Sequence, residues 1–295
     1  MRPADPVIGS AEAVMAKAGG ENFPVASRVL PGRIRRHLLA IYGFARLVDD
    51  IGDEVAGDRR ALLDWLDGEV DRLYAGAPTH PLMRRLVPTV RRFDLPPEPF
   101  RRLIAANRQD QDASTYETYE DLAAYCALSA NPVGHLVLFV LEASTPDRVA
   151  LSDSVCTGLQ LVEHWQDVSE DLARGRVYLP QEDLVRFGCT REDLAARRPS
   201  QGFRRLMAFE LGRAASLLDQ GAPLARDLGG RPGFAVAAFV AGGRSALDAI
   251  ARSGYDVLSG RPRPTHARQV WTLARTLAAR RQAHGHPVHG ETSPT

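Results

Sequence analysis

Apolar residues recur at helical spacing along nearly all of this 295-residue chain, and no segment sustains the strict alternation of a half-buried strand. Residues 33–51 carry Ile34, Leu38, Ile41, Tyr42, Ala45 and Val48, which share one face of a helix. Similar stripes run through 59–74, 100–109, 118–129, 133–143, 147–173, 202–219, 234–259 and 266–281. Between them fall proline and glycine clusters at 29–32, 76–79, 95–99, 131–132, 175–180 and 228–233. A chain so patterned must bury its apolar faces helix against helix, and the spacing predicts one all-α domain of about ten helices. The expected organisation is an N-terminal segment over 1–19, a helical domain over 20–282 and a polar tail over 283–295 without fixed structure.

Bulk chemistry narrows the function classes. A formal net charge of +1 argues against a nucleic-acid binder, and the preference for arginine, with Lys17 the single lysine, reads as compositional bias. Cys126, Cys156 and Cys189 lie far apart without paired spacing, so neither a disulfide framework nor a zinc site is indicated. The N-terminus lacks a basic region followed by an apolar core, and runs such as VGHLVLFVL and FAVAAFVAGG fall short of a membrane span. A cytoplasmic protein is expected, with peripheral contact at the inner membrane face left open. No serine sits in a GxSxG turn, no GxGxxG follows a strand, and no EF-hand loop is present.

Two acidic stretches stand out against this background. LVDDIGDE (47–54) closes the apolar helix of residues 33–51, with Asp49 and Asp53 four apart and Asp50 turned about a quarter-circle away. LQLVEHWQDVSEDLARGRVYLP (159–180) puts Gln160, Glu163, Asp167 and Asp171 at intervals of three or four, on one face if the helix is continuous. Like charges so spaced destabilise a helix by a few tenths of a kcal/mol per pair, so both stretches call for a cation. Hard carboxylate oxygens suit Mg²⁺, with Mn²⁺ as a substitute, and Mg²⁺ commonly bridges to substrate phosphates. Arg174, Arg176 and Tyr178 follow at once and offer donors to a diphosphate. His164 points about 100° from Glu163 and reads as a wall residue. His37 and His80 read as structural, and His284, His286 and His289 lie in the tail.

Four stretches, ENFPVASRVLP (21–31), IYGFARLVDDIGDE (41–54), YCALSANPVGHLVL (125–138) and LQLVEHWQDVSEDLARGRVYLP, resemble the squalene/phytoene synthase family in order and spacing. The resemblance spans roughly residues 20 to 262, and ENFPVAS, SANPVG and WQD are most similar to its bacterial hydroxysqualene synthase branch, of the hopanoid route. It implies a single-domain isoprenoid synthase-like bundle with a central cavity. By the same resemblance Asp49, Asp50, Asp53, Glu163, Asp167 and Asp171 are metal ligands, and Tyr42, Arg46, Tyr125, Gln160, Arg176 and Tyr178 line the site. Glu163 stands where an Asn is usual, and His135 where an Arg is expected.

The implied reaction is Mg²⁺-dependent loss of diphosphate from presqualene diphosphate and capture of the cation by water, without NADPH. The alternatives are head-to-head coupling of two prenyl diphosphates such as farnesyl diphosphate, giving presqualene diphosphate, squalene or phytoene, and a non-catalytic helical assembly factor. Neighbouring squalene-pathway enzymes are the implied protein partners. Phe23, Tyr42, Phe44, Tyr125, Phe139 and Trp165 are candidates to face the cation, and Gln160, Glu163, His164 and Gln166 to hold the water.

Overall fold

The computed structural model describes residues 29–265, 269 and 271–277. The ENFPVAS motif with Phe23, the three tail histidines and both terminal segments lie outside the described residues. Thirteen named helices follow in order: α1 (Gly32–Asp53), α2 (Arg59–Tyr74), α3 (Pro81–Phe93), α4 (Glu98–Gln109), α5 (Tyr119–Ser129), α6 (Asn131–Val140), α7 (Pro146–Gln166), α8 (Val168–Ala173), α9 (Gln181–Phe187), α10 (Arg191–Ala195), α11 (Gln201–Gly221), α12 (Pro223–Leu228) and α13 (Gly230–Arg252). The one β feature among the described residues is an isolated parallel bridge between Thr115 and Val177. The all-α expectation holds.

Two apolar cores are built from these helices. The first gathers Ile41, Phe44, Leu66, Met83, Phe100 and Leu136 from α1 to α4 and α6. The second gathers Leu122, Trp165, Phe203, Leu206, Met207 and Ile250 from α5, α7, α11 and α13. Phe44 and Trp165 are 1% and 0% exposed and pack within these cores. His37 Nδ1 meets Thr89 Oγ1 at 2.9 Å, and its ring lies edge-on to Phe93, as a structural histidine should.

Local chemistry explains most boundaries. α2 opens on Asp58, whose side chain accepts from the Ala61 amide, and α5 opens on a capping box of Thr118 with Asp121. α1 ends with carboxylates at the negative end of its own dipole, an unfavourable placement. Arg59 offsets it by donating to the Asp53 and Val55 carbonyls. The expected helix over 147–173 is corrected: α7 stops at Gln166, Asp167 leaves helical geometry (φ −105°, ψ 14°) and α8 restarts at Val168.

The bilayer expectation is corrected in length. Tyr119–Val140 and Gly230–Arg252 are long and apolar enough to cross a membrane by length and composition alone, but about half of each apolar window (50% and 56%) is buried inside the bundle. Ala130 joins α5 to α6 within the first of these, where Asn131 accepts from Thr157 Oγ1 at 3.0 Å.

Gly134 on α6 permits close contact with α7: a Cβ there would lie 2.7 Å from Cys156 Sγ and nearer still to Ser152 Oγ. Gly212 on α11 meets nothing within 4 Å. Gly134→Leu is therefore expected to lower unfolding free energy by about 1–3 kcal/mol through overpacking. Gly212→Ala should raise it by about 0.4–1 kcal/mol. Urea denaturation of both variants checks the pair of signs.

Candidate active site

The acidic end of α1 reaches the seam between the two cores, where it meets the end of α4 and the segment after α8. Gly52 makes the approach of α4 possible, because a Cβ there would lie 3.0 Å from Asn107 Cγ, with Asn107 Oδ1 closer still. Asn107 Nδ2 donates to Asp49 Oδ1 at 3.5 Å, and Gln111 Nε2 donates to the Gly52 carbonyl at 3.2 Å. Arg46 is shared between Asp50 (3.0 Å) and Glu54 (2.9 Å). Asp50 is thus the buried, arginine-paired member of DDIGD, while Asp49 and Asp53 face outward from the helix.

Arg176 Nη1 donates to Asp53 Oδ1 at 2.8 Å and so ties the two acidic motifs together. Its segment is held by the loop before α5: the Val177 amide donates to the Ser114 carbonyl (2.7 Å) and the Gln181 amide to the Tyr116 carbonyl (2.9 Å). Asp167 pairs with Arg261 at 3.0 Å through one oxygen, and its buried Oδ1 has no hydrogen-bond partner. Gln166 donates to the Pro262 carbonyl at 2.7 Å and so ties the end of α7 to the C-terminal segment. Glu163 is exposed.

A cage of aromatic rings adjoins these charges. His164 stacks on Tyr178 with centroids 3.8 Å apart and planes 17° from parallel; Tyr125 lies 5.8 Å and Tyr116 5.8 Å from Tyr178. Tyr125 donates to Asp110 Oδ2 at 2.7 Å, and Gln160 Nε2 meets His164 Nε2 at 3.1 Å. A small void of about 10 Å³ sits beside His164, Asp171, Arg176 and Tyr178. Tyr42 is buried on α1, one turn before Arg46. The sequence reading missed Asp110, Tyr116, Asn107 and Arg261; the run NRQDQD was the one available signal for the acidic and amide members.

Burial dominates the electrostatics. It lifts the Asp110 carboxyl to about 6, against the hydrogen bond from Tyr125 and the charge of Arg176. It lifts Asp171 to about 7, aided by Asp167. Asp49 also rises to about 7, chiefly by desolvation, against Arg46. Its side chain still meets water, as a group walled by protein but projecting into a wet cleft does. Burial pushes the His164 imidazole down to about 3, with Arg176 adding to the effect, so the ring is neutral.

These observations test the fit of Mg²⁺. Among the described residues no three His, Cys, Asp or Glu side chains are gathered to hold a metal ion; arginines occupy the carboxylates instead. The unpartnered buried oxygen of Asp167 and the raised carboxyls of Asp49 and Asp171 are nevertheless what a hard cation would relieve. The residues fit the group, with Asp49 and Asp53 on one side and Asp167 and Asp171 on the other.

The profile of the squalene/phytoene synthase family matches residues 16–269. The chain belongs to this family. Its members are prenyl-transferring enzymes that act on prenyl diphosphates. The chain is 36% identical over 209 residues to hydroxysqualene synthase of Rhodopseudomonas palustris, covering 70% of this chain and 71% of that one. It is 32% identical over 267 residues to phytoene synthase of Rhodobacter capsulatus, covering 88% and 78%. Among solved structures, squalene synthase HpnC from Alicyclobacillus acidocaldarius superposes with a TM-score of 0.78 at 44% identity, covering 84% of this chain and 95% of that one. The all-α isoprenoid synthase fold is thereby established for this chain.

The raised carboxyl of Asp171 has a thermodynamic sign. Between its ordinary value near 4 and about 7 the folded chain keeps a proton that the unfolded chain has released, so stability falls as pH rises through that window. Asp171→Asn is expected to melt about 2–4 °C above the wild type at pH 8, and the gap should narrow as pH falls toward 4. Mg²⁺ with inorganic diphosphate should raise the wild-type melting temperature more than the variant's, which scanning calorimetry would measure.

Proposed function

We propose that this chain converts presqualene diphosphate and water to hydroxysqualene and diphosphate. The observation that carries the reading is the pair of half-buried Gln160 and buried His164 at the edge of the tyrosine cage, next to the second acidic motif. A neutral His164 accepts from Gln160 at Nε2, which leaves the Gln160 carbonyl oxygen to accept from one water. The likeness at 44% identity to a squalene synthase, and at 36% to hydroxysqualene synthases of Rhodopseudomonas palustris and Sinorhizobium fredii, supports it.

In this reading Arg46 and Arg176 bind and orient the diphosphate, since both lie beside the carboxylates at the seam. Asp49, Asp53, Asp167 and Asp171 would hold Mg²⁺, which when bound supplies Lewis-acid stabilisation of the departing anion. Glu163 and Asp50 stand at the margin of that set, the first exposed and the second already paired with Arg46. The rings of Tyr116 and Tyr125 stabilise the cation electrostatically, Tyr178 being stacked on His164, and the buried setting excludes bulk water. Capture forms the C–O bond with the held water, whose proton passes to the departed diphosphate.

Phytoene synthases among the relatives favour a second reading, head-to-head coupling of two prenyl diphosphates by the same site. Incubation with presqualene diphosphate in ¹⁸O-water, without NADPH, separates the two. Label is expected in a C30 alcohol detected by mass spectrometry. Unlabelled squalene that needs NADPH, or efficient coupling of farnesyl diphosphate alone, would move the function to the second reading.

Asp53→Asn and Asp167→Asn test the metal-binding side of either reading. Each is expected to lower kcat by about 10²–10³ while the circular dichroism spectrum stays helical. Near-normal turnover in both would remove the carboxylates from the mechanism.

A further inference from the structure

A second feature lies along α1, away from its acidic end. The N-terminal half of α1 and the length of α3 enclose a groove of about 790 Å³. Ile34, Leu82 and Phe93 contribute apolar lining, Arg33, Arg36, Arg85 and Arg92 contribute charge, and Glu142 is the one acid lining it among the described residues. Arg35 on α1 and Arg84 and Arg91 on α3 are exposed on other sides of the same helices, Arg84 donating to the Pro78 carbonyl. Four arginines against one acid, itself paired with Arg92 at 3.2 Å, give this groove a net positive lining that the whole chain, with a formal net charge of +1, does not share. His37, within the groove, registers the field: burial first, then Arg36 and Arg92, hold its imidazole below the usual range.

We infer that the α1–α3 face docks on an anionic lipid bilayer, its guanidinium groups on phosphate headgroups and its groove against the acyl region. Charge complementarity selects an anionic partner, and the apolar lining selects one that pairs anionic charge with hydrocarbon, which an extended polyanion does not offer. The choice of a bilayer over an acidic protein rests on the proposed function, in which the product is a long prenyl alcohol without a charged head. The groove is distant from the chemistry: His37 and Asp49 are twelve positions apart on one helix, about 18 Å at 1.5 Å per residue.

The test is sedimentation of the purified full chain with vesicles of phosphatidylcholine, with and without phosphatidylglycerol. Binding is expected on the anionic vesicles and should decline with added salt. Arg33→Glu with Arg36→Glu should reduce it about tenfold or more, and Arg226→Glu, on α12, should not. The double variant should keep the wild-type melting temperature and its turnover of detergent-dispersed substrate. Where that variant fails to fold, Arg36→Glu with Arg85→Glu takes its place.

Equal binding to neutral vesicles, or equal loss in Arg226→Glu, overturns the inference. So does a double variant that binds vesicles normally but changes its mass by light scattering, which would assign the face to a second copy of the chain. Vesicle binding is read without reference to product, so it stands or fails separately from the reaction assigned above.

Discussion

Negative charge brought to the seam between two apolar cores is the constraint around which this structure is arranged. α1 delivers its carboxylates at the end where the helix dipole already disfavours them, and the α7–α8 junction and α8 deliver Asp167 and Asp171. The pair between Arg176 and Asp53 joins the two groups. That pair is half in solvent, with side-chain exposures of 15% and 40%, and such contacts are worth little as isolated stabilisers. Its role is positional: it fixes the distance between the motifs, while the apolar packing on either side supplies the stability. Arg46 on Asp50 and Arg261 on Asp167 repeat the arrangement at either edge.

The tyrosine cage answers a different demand. A carbocation needs electron-rich faces without nucleophilic oxygen, yet tyrosines bring hydroxyls into the interior. Burial drives the Tyr116, Tyr125 and Tyr178 hydroxyls far above their usual range, so they remain protonated, and Asp110 accepts from Tyr125 at 2.7 Å. Tyr125 is thereby held by its polar edge, and the three rings turn toward one another, with Tyr178 stacked on His164. The carboxylate of Asp110 is a cost in this setting, reflected in its own raised value of about 6, and its second oxygen has no partner.

Much of this was legible before any coordinates. The stripe from Ile34 to Val48 gave α1, and the i, i+4 spacing of Asp49 and Asp53 gave the acidic end, because both depend only on helical period. Asp110 and Tyr116 were not legible: they sit at and beyond the end of α4, where no period assigns a face, and only the pairing of residues 114–117 with 177–182 places them. The break at Asp167 was invisible because nothing local, neither proline nor glycine, marks it. α3 was overlooked for the opposite reason, since Pro88 lies within it and reads as a breaker although the helix continues. Helices α9, α10 and α12, of 7, 5 and 6 residues, are too short to display a repeating stripe. Glu163 and His135, the two departures from the family pattern, fare differently: His135 pairs with Asp153 at 2.7 Å, while Glu163 stays at the exposed margin.

The break at Asp167 carries a consequence for how the second motif is held. Because α7 ends at Gln166, the carboxylates of Asp167 and Asp171 do not ride on one rigid rod, and their mutual angle is free to be set from outside the helix. What sets it is a latch more than ninety residues downstream, with Gln166 bonded to the Pro262 carbonyl and Asp167 to Arg261. A segment that looks like a dispensable trailing loop is thus what holds the second acidic motif in place. Anyone trimming, fusing or tagging this chain near residue 260 would be altering the geometry of the second acidic motif, not the periphery.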